Sequence, residues 1–147
     1  MAVEIERKFL VEASQLPPLP AADELQQGYL ARDPAVRVRL RTLPDGERRG
    51  FLTVKGRGLV ARAEFEYAIP PDDAAQLLLL CATSLRKQRY TLGRWEVDYF
   101  PSLGLWLAEI ELDSEAEAFD RPAWLGAEVS GDARYQNVNL AAAAPGR

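Results

Sequence analysis

Residues 3–11 read Val-Glu-Ile-Glu-Arg-Lys-Phe-Leu-Val, and the interpretation of the fold depends on this stretch. If it forms a strand, successive side chains point to opposite faces, because a strand has a side-chain period of two. One face then carries Val3, Ile5, Arg7, Phe9 and Val11, and the other carries Glu4, Glu6, Lys8 and Leu10. Two carboxylates and an ammonium group are therefore aligned opposite an apolar face.

Alternation of the same kind recurs along the chain. Residues 36–41 place three arginines opposite valine and leucine, a hairpin turn is predicted at Asp45-Gly46, and residues 50–56 return as the partner strand. Further alternating strands are predicted at 62–69, 84–91, 94–100 and 105–112, and the last of these repeats the spacing of the opening segment with Glu109 and Glu111. Shorter strands are predicted at 26–31 and 128–130.

Helices are predicted at three places. The clearest covers residues 72–81, where two aspartates suit the positive end of a helix dipole and a leucine run follows that would pack on a sheet. Residues 114–117 match a capping box and predict a short helix. Asp132 is placed to cap a last helical turn over residues 134–137, and we expect the alanine-rich tail at 141–147 to be frayed.

Length and composition limit the class of protein. The 147 residues predict a single domain, 1–147, with the composition of a globular protein. No apolar run is long enough to span a membrane, residues 4–8 are too charged for a secretion signal, and the single Cys81 cannot form an internal disulfide. These features predict a cytoplasmic protein with no membrane partner. The net charge of −4 argues against nucleic acid as a partner.

The sequence contains no histidine, which excludes several kinds of catalytic site. A Ser-His-Asp triad, a Cys-His pair, an imidazole metal ligand and a histidine proton shuttle all require one. Any bound metal must then be held mainly by oxygen atoms, which favours Mg²⁺, Mn²⁺ or Ca²⁺.

The polar faces of the predicted strands carry charges of both signs. The acidic members are Glu4, Glu6, Glu64, Glu66, Glu96, Asp98, Glu109 and Glu111, and the basic members are Lys8, Arg37, Arg39, Arg41, Lys55, Arg62, Lys87 and Arg89. Two architectures fit this pattern: an open sheet whose charged face meets water, and a closed sheet whose charges face inward. Alternation alone does not distinguish them. Closure requires that the charges pair or hold ions, because isolated buried charges are costly.

The choice of residue types points to phosphate chemistry. The planar fork of arginine suits bidentate contact with phosphate oxygens. Carboxylates spaced two residues apart suit divalent cations that bridge protein and phosphate. A cavity with both groups, and without an evident nucleophile, predicts metal-assisted phosphoryl chemistry on a polyphosphate.

Successive blocks of the chain resemble, in order, the short bacterial members of the CYTH, or triphosphate tunnel metalloenzyme, superfamily. The resemblance begins at Glu4-x-Glu6-x-Lys8 and covers essentially the whole chain. The further blocks are 27–30, 36–39, 53–56, 62–66, 87–90, 96–98, 108–112 and 128–132, followed by Tyr135 and Asn137.

This resemblance implies an α+β fold in which an eight-stranded antiparallel β-barrel, the triphosphate tunnel, has a charged lumen and helices packed outside. It implies Mg²⁺ or Mn²⁺ as cofactor, held by Glu4, Glu6, Glu64, Glu66, Asp98, Glu109 and Glu111. It implies substrate binding by Lys8, Arg37, Arg39, Lys55, Arg62, Lys87 and Arg89, with Arg62 also placed to pair with the acids. Catalytic roles fall on Glu4, Glu6, Lys8, Lys87 and Tyr29, the last matching a tyrosine near the substrate mouth.

The leading hypothesis for the activity is hydrolysis of inorganic triphosphate to pyrophosphate and phosphate. Alternatives are an adenylate cyclase, whose branch tends to carry a histidine that this chain lacks, a thiamine or nucleoside triphosphatase, and a non-catalytic polyphosphate-binding module. The sequence leaves open whether Tyr29, Arg41, Glu96, Glu128 and Arg134 are functional or structural. Tyr90, Trp95, Tyr99 and Trp106 are expected to pack in the wall, where they could support a homodimer.

Overall fold

The computed structural model describes residues 3–143, which form nine strands, two α-helices and two short 3₁₀ turns. The strands are β1 (Val3–Val11), β2 (Asp23–Arg32), β3 (Ala35–Thr42), β4 (Arg48–Lys55), β5 (Ala61–Ile69), β6 (Thr83–Leu92), β7 (Trp95–Phe100), β8 (Leu105–Glu111) and β9 (Leu125–Glu128). The helices are α1 (Pro71–Leu78) and α2 (Asn137–Ala143), and the 3₁₀ turns span Ala13–Gln15 and Ala133–Tyr135. A strand is present at each position predicted from the sequence, but β2 begins three residues earlier than expected, and β9 shares only Glu128 with the strand predicted at 128–130.

Eight of these strands close into an antiparallel barrel. The sheet runs in the order β5-β4-β3-β2-β6-β7-β8-β1, and a pairing between β1 and β5 joins its two ends. β1 pairs with β5 along residues 3–5, and further along the same strand β9 pairs with residues 9–11. The predicted eight-stranded barrel is confirmed, and β9 is an additional strand attached where β5 has left β1.

The pairing register aligns the charged residues on one face of the closed sheet. Across β1 and β8, Lys8 lies opposite Glu109, and Glu6 lies opposite Glu111. Closure of the barrel turns these charged faces inward, so that they surround a common cavity. The closed architecture is therefore the correct one of the two that alternation allowed.

The apolar faces of the strands point outward and are covered by separate hydrophobic clusters. Around β1, β7 and β8, the rings of Phe9, Trp95, Phe119 and Trp124 meet edge to face at centroid distances of 5.5–5.9 Å. On the far side, α1 packs against β3 and β4 through Ala74 and Leu78. Such burial of large apolar side chains stabilises the barrel from outside.

One end of the barrel is covered by α2. At this end the inward-facing positions of the strands are apolar, and they include Leu85, Phe100 and Leu107. Leu140 and Ala141 of α2 pack against this group and are 7% and 4% exposed. The tail was expected to be frayed from residue 141, but residues 141–143 belong to this packed helix, and residues 144–147 lie outside the described part of the chain.

Two local helix predictions are corrected. Residues 114–117 form a turn and not a helix: the backbone N–H of Glu117 donates to the carbonyl of Ser114, and the Glu117 side chain accepts from the N–H of Asp113. The helix predicted to reach residue 81 ends at Leu78, and Leu79 and Leu80 beyond it are 74% and 73% exposed. Asp132 caps the turn at Ala133–Tyr135 as predicted, by accepting from the N–H of Arg134. Within residues 3–143 no helix has both the length and the apolar character needed to cross a membrane.

Candidate active site

The barrel encloses a charged cavity of about 200 Å³. Its lining comprises Glu4, Glu6, Lys8, Tyr29, Ala35, Arg37, Arg39, Arg41, Lys55, Arg62, Glu64, Glu66, Lys87, Arg89, Glu96, Glu109, Glu111, Gln136, Asn137 and Val138. Every site residue predicted from the sequence is in this set except Asp98. The fold thus brings together the charged side chains of seven barrel strands, which alternation had placed on one face, and Tyr29 from the eighth strand, β2.

Glu4 lies in a group of alternating charges contributed by β1, β4 and β5. Nζ of Lys55 donates to both oxygens of Glu4, at 3.1 and 3.3 Å, and lies 3.3 Å from Oε2 of Glu64. Nε of Arg62 is 3.5 Å from Glu4 on the other side. Burial and a hydrogen bond to Glu64 raise the pKa of Glu4. The pKa of Glu64 is lowered, because that hydrogen bond and the charge of Lys55 outweigh burial.

Glu6 and Glu109 form a second pair of carboxyl groups, between β1 and β8. Burial and repulsion by Glu109 and Glu4 raise the pKa of Glu6 well above its usual range. The pKa of Glu109 is lowered well below its usual range, because Lys8, Lys87 and the hydrogen bond from Glu6 outweigh its burial. Nζ of Lys8 lies 4.0 Å from Glu109 and donates to the backbone oxygen of Tyr135 at 2.8 Å.

Lys87 and Arg89 of β6 are both held by Asp98 of β7. Nζ of Lys87 contacts Oδ2 of Asp98 at 2.8 Å, and Arg89 donates to both carboxylate oxygens, at 2.8 and 2.9 Å. The pKa of Asp98 is lowered to about 2, because the two cations outweigh its burial. Asp98 does not line the cavity; it lies behind the two cations, with both oxygens engaged by them.

A chain of neutral amides links these cations to the start of α2. Nε and Nη2 of Arg39 donate to Oε1 of Gln27, at 3.0 and 2.8 Å. Nε2 of Gln27 donates to Oδ1 of Asn137 at 2.8 Å, and Nζ of Lys87 donates to the same oxygen at 2.7 Å. Burial and the charges of Arg37 and Arg89 lower the pKa of Arg39 to about 9. The cations therefore lie close enough together for their repulsion to disfavour the charged form of Arg39.

Arg37 keeps unused hydrogen-bonding capacity inside the cavity. Its Nη2 lies 3.4 Å from Oγ1 of Thr53 and 3.6 Å from Oε1 of Glu66. Its Nε is buried and has no hydrogen-bond partner among residues 3–143. A buried donor without a partner costs free energy, and an anion in the cavity would supply the missing acceptor.

The residues left open by the sequence separate into two groups. Arg41 and Glu96 line the cavity, where Arg41 pairs with Asp23 and Glu96 pairs with Arg89. Glu128 lies outside it and pairs with Arg7. Arg134 is also outside, paired with Asp132 at 2.6 Å.

The wall aromatics lie outside the cavity, as expected. Trp95 belongs to the outer aromatic cluster, and Tyr90, Trp106 and Tyr99 stack in a row with centroid distances of 5.9 and 4.7 Å. None of these rings is among the described residues that line the cavity. The cavity therefore lacks a tryptophan or phenylalanine surface for stacking a base. Tyr29 does line it, but at the end covered by α2.

Two groups of residues were given no role in the site from the sequence, although Gln27 and Asn137 belong to the blocks that carry the family resemblance. Gln136, Asn137 and Val138 line the cavity although they lie in the expected last turn and beyond it. Gln27 is completely buried behind the lining and holds Arg39. Gln27 lies between Leu25 and Tyr29 on the inward face of β2. A single amide between two large, mainly apolar side chains is the sequence feature that could have predicted a buried polar contact here.

Comparison with known proteins identifies one family and several similar proteins. The model of the CYTH domain family matches residues 2–143. A protein of Acetivibrio thermocellus named inorganic triphosphatase is 41% identical over 149 residues, covering 95% of this chain and 94% of its own. One of Nitrosomonas europaea with the same name is 37% identical, covering 97% and 99%. A crystal structure of an inorganic triphosphatase superposes with a TM-score of 0.62 at 36% identity, covering 99% of both chains.

Proposed function

Because this chain belongs to the CYTH domain family, we propose that it hydrolyses inorganic triphosphate to pyrophosphate and phosphate inside the charged barrel. The observation that carries this proposal is the inward-facing set of arginines and lysines, in which Arg37 retains a buried donor with no partner among residues 3–143. Relatives at 41% and 37% identity that carry the name inorganic triphosphatase support the same activity.

We infer that a divalent cation, Mg²⁺ or Mn²⁺, is held by the glutamates of β1 and β8. The donor set fits such an ion, since it consists of oxygen atoms and includes neighbouring carboxyl groups whose mutual repulsion a cation would relieve. Within residues 3–143 no three acidic side chains are already gathered around one point, so some must leave their present partners to bind. Glu4, Glu6, Glu109 and Glu111 are the ligands we propose, with Glu64 and Glu66 as further candidates.

When bound, the metal supplies charge neutralisation on the phosphate oxygens and a water of lowered pKa. The protein's own cations do the remaining electrostatic work. Lys8, Arg37 and Lys55 surround the space where the phosphates would lie, and they reduce repulsion against an incoming water. Lys87 and Arg89 are held in place by Asp98, where they can stabilise charge that grows on the leaving phosphate.

For Asp98 and Tyr29 we propose narrower roles than the family resemblance implies, and for Arg62 the same double role. Asp98 is proposed to position Lys87 and Arg89 and not to bind metal, because both of its oxygens already accept from those cations. Arg62 is proposed to hold Glu4, from which it lies 3.5 Å away, as well as to contact substrate. Tyr29 is proposed to contact substrate at the end covered by α2, where burial raises its pKa and keeps the hydroxyl protonated.

The experiment that tests the activity is phosphate release from tripolyphosphate, ATP and thiamine triphosphate, each with Mg²⁺, Mn²⁺, Ca²⁺ or EDTA. We expect fast release from tripolyphosphate with Mg²⁺ or Mn²⁺ and none with EDTA. Cyclic AMP and pyrophosphate from ATP, without free phosphate, would instead identify an adenylate cyclase. Tight binding of tripolyphosphate with no product would identify a binding module.

Two pairs of variants test the site itself. Glu4→Gln combined with Glu109→Gln should abolish metal-dependent turnover, and unchanged turnover would refute the metal assignment. Lys55→Ala should weaken substrate binding, whereas Arg49→Ala is the matched control, because Arg49 is exposed and pairs with Glu47 outside the cavity.

A further inference from the structure

Asn137 is the first residue of α2, and it lines the charged cavity at the end that this helix covers. Its oxygen Oδ1 accepts two hydrogen bonds, one from the ammonium of Lys87 and one from the amide of Gln27. The side chain belongs to neither the acidic nor the basic set of the site. Its role is therefore separate from metal binding and from charge neutralisation.

The groups around the Asn137 amide fix its orientation. Protonated Lys87 can only donate, so the atom that faces it must be an oxygen. Arg39 can also only donate, and it contacts the side-chain oxygen of Gln27 with two nitrogens. Gln27 must then turn its nitrogen toward Asn137, which again requires Oδ1 on that side. Two independent donors thus assign the same orientation to the Asn137 amide, with Oδ1 toward Lys87 and Gln27.

The nitrogen of this amide is left to face another partner. With Oδ1 occupied, Nδ2 is the remaining polar group of Asn137, and it makes no hydrogen bond to an atom of residues 3–143. Nδ2 is not among the fully buried polar atoms that lack a partner, so it is not sealed in the protein, and Asn137 is one of the residues that line the cavity. A neutral N–H group beside an ammonium suits an anionic oxygen.

We propose that Asn137 is a substrate-binding residue whose Nδ2 donates to a phosphate oxygen at the covered end of the cavity. The identity of the ligand rests on the proposed triphosphatase function, while the orientation of the amide does not. A neutral donor is the appropriate type here, since Arg39, Lys87 and Arg89 already repel one another across a buried space. A fourth cation would add to that repulsion, whereas an amide adds a contact without charge.

The deciding variant is Asn137→Asp. It keeps an oxygen toward Lys87 and Gln27 and replaces the Nδ2 donor by a second oxygen, so it separates phosphate contact from mere support of Lys87. Affinity for tripolyphosphate is measured by calorimetry on the full chain in EDTA. We expect it to fall about tenfold or more, because a hydrogen bond to a charged group is lost and an oxygen now faces the anion.

The matched control is Asn139→Asp, which adds the same charge to the same helix. Asn139 does not line the cavity; its side chain donates to the backbone oxygen of Ala133 and accepts from Arg32. The affinity of this variant should stay within about twofold of wild type, since the added charge lies outside the cavity and beside Arg32, where it is largely screened. Equal affinities of the Asn137→Asp and Asn139→Asp variants would overturn the proposal.

A second variant guards against misfolding of the first. Asn137→Ala removes the Nδ2 donor without adding a charge and should also bind more weakly than wild type, so wild-type affinity in Asn137→Ala would also overturn the proposal. Turnover of tripolyphosphate by the wild-type protein with Mg²⁺ is measured in parallel. Wild-type binding that Asn137→Asp weakens, without any turnover, would refute the triphosphatase function alone. Normal turnover with unchanged binding in Asn137→Asp would refute the phosphate contact alone.

Discussion

Nζ of Lys87 lies 2.8 Å from Oδ2 of Asp98, and both side chains are only 1% exposed. Burial lowers the pKa of Lys87 to about 7, because desolvation together with the neighbouring Arg89 and Arg39 outweighs the attraction of Asp98. The lysine of this ion pair therefore changes charge close to neutral pH, although lysines usually titrate far above it.

This pair predicts a pH dependence of anion binding. Below about pH 7 Lys87 is protonated and attracts phosphate, and above it the charge is progressively lost. Affinity for tripolyphosphate in EDTA, measured by calorimetry, should exceed that of Lys87→Met most at low pH, and the ratio should begin to fall as pH rises through about 7. Taking the ratio removes the titration of tripolyphosphate itself. A ratio that is constant across this range would contradict the prediction.

The same pKa predicts a pH-dependent stability. Between about 7 and the ordinary value of 10.5, Lys87 is neutral when folded but protonated when unfolded, so the unfolded state binds more protons. Stability contributed by this group therefore rises with pH across that window. Urea denaturation across this pH range measures the free energy of unfolding of wild type and Lys87→Met. The increase with pH that Lys87 contributes should be present in wild type and missing from Lys87→Met. Parallel pH profiles would be incompatible with a depressed lysine pKa.

Asp98→Asn should destabilise the protein strongly. The substitution leaves Lys87 and Arg89 buried without their counter-charge, which typically costs about 3–5 kcal/mol in the free energy of unfolding. Urea denaturation measures this loss, and Asp120→Asn, at an exposed position, serves as the control. The concentration of Mg²⁺ that gives half-maximal activity should not change in this variant, and a large increase would show that Asp98 binds metal after all.

Glu6→Gln should separate stability from activity. Burial and the neighbouring Glu109 raise the pKa of Glu6 and so disfavour its charged form, which a neutral glutamine also lacks, and the melting temperature in EDTA should change little. Metal-dependent phosphate release should fall about a hundredfold or more, because the glutamine cannot replace a carboxylate ligand. Exposed Glu115→Gln should leave both properties unchanged. Full activity in Glu6→Gln would remove this residue from the metal site.

Gly28→Ala should destabilise the contact between β2 and the segment after α1. A Cβ at position 28 would lie 2.8 Å from both Cβ and Sγ of Cys81, and overpacking of this kind typically costs about 1–3 kcal/mol. Cys81→Ala in the same chain removes Sγ and should recover part of the loss. Thermal denaturation of the single and double variants gives the coupling between the two sites. Additive effects would show that the two side chains do not clash.

Alternation along the strands predicted the location of the barrel strands and which charges share a face. Alternation alone, without any knowledge of strand pairing, places Glu4 with Glu6 and Glu109 with Glu111 on the polar faces of their strands. Alternation could not determine whether that face meets water or a cavity, because both arrangements use the same period. The resemblance to the CYTH family predicted that the sheet closes into a barrel, and the pairing of β1 with β5 confirms this prediction.

The parts that were missed depend on contacts distant in sequence. Residues 137–143 contain asparagines and alanines with no marked amphipathic pattern, and they form a helix against the end of the barrel. The capping box at 114–117 is instead satisfied as a turn, in which Glu117 binds Arg94 and the N–H of Asp113. The strand face predicted that Asp98 shares a side with the other charges, and the family resemblance implied a metal ligand, but neither reveals that Lys87 and Arg89 contact both of its oxygens.

The pairing of β1 with both β8 and β5 has a consequence for how the chain folds. Of the strands in residues 3–143, β1 is synthesised first, yet its β8 partner lies about a hundred residues later in the chain. Contacts so far apart in sequence carry a large loop-closure entropy and make folding slow. Glu4 and Glu6 therefore remain apart from Glu109 until most of the chain has been synthesised. The catalytic cavity forms only when β8 pairs with β1.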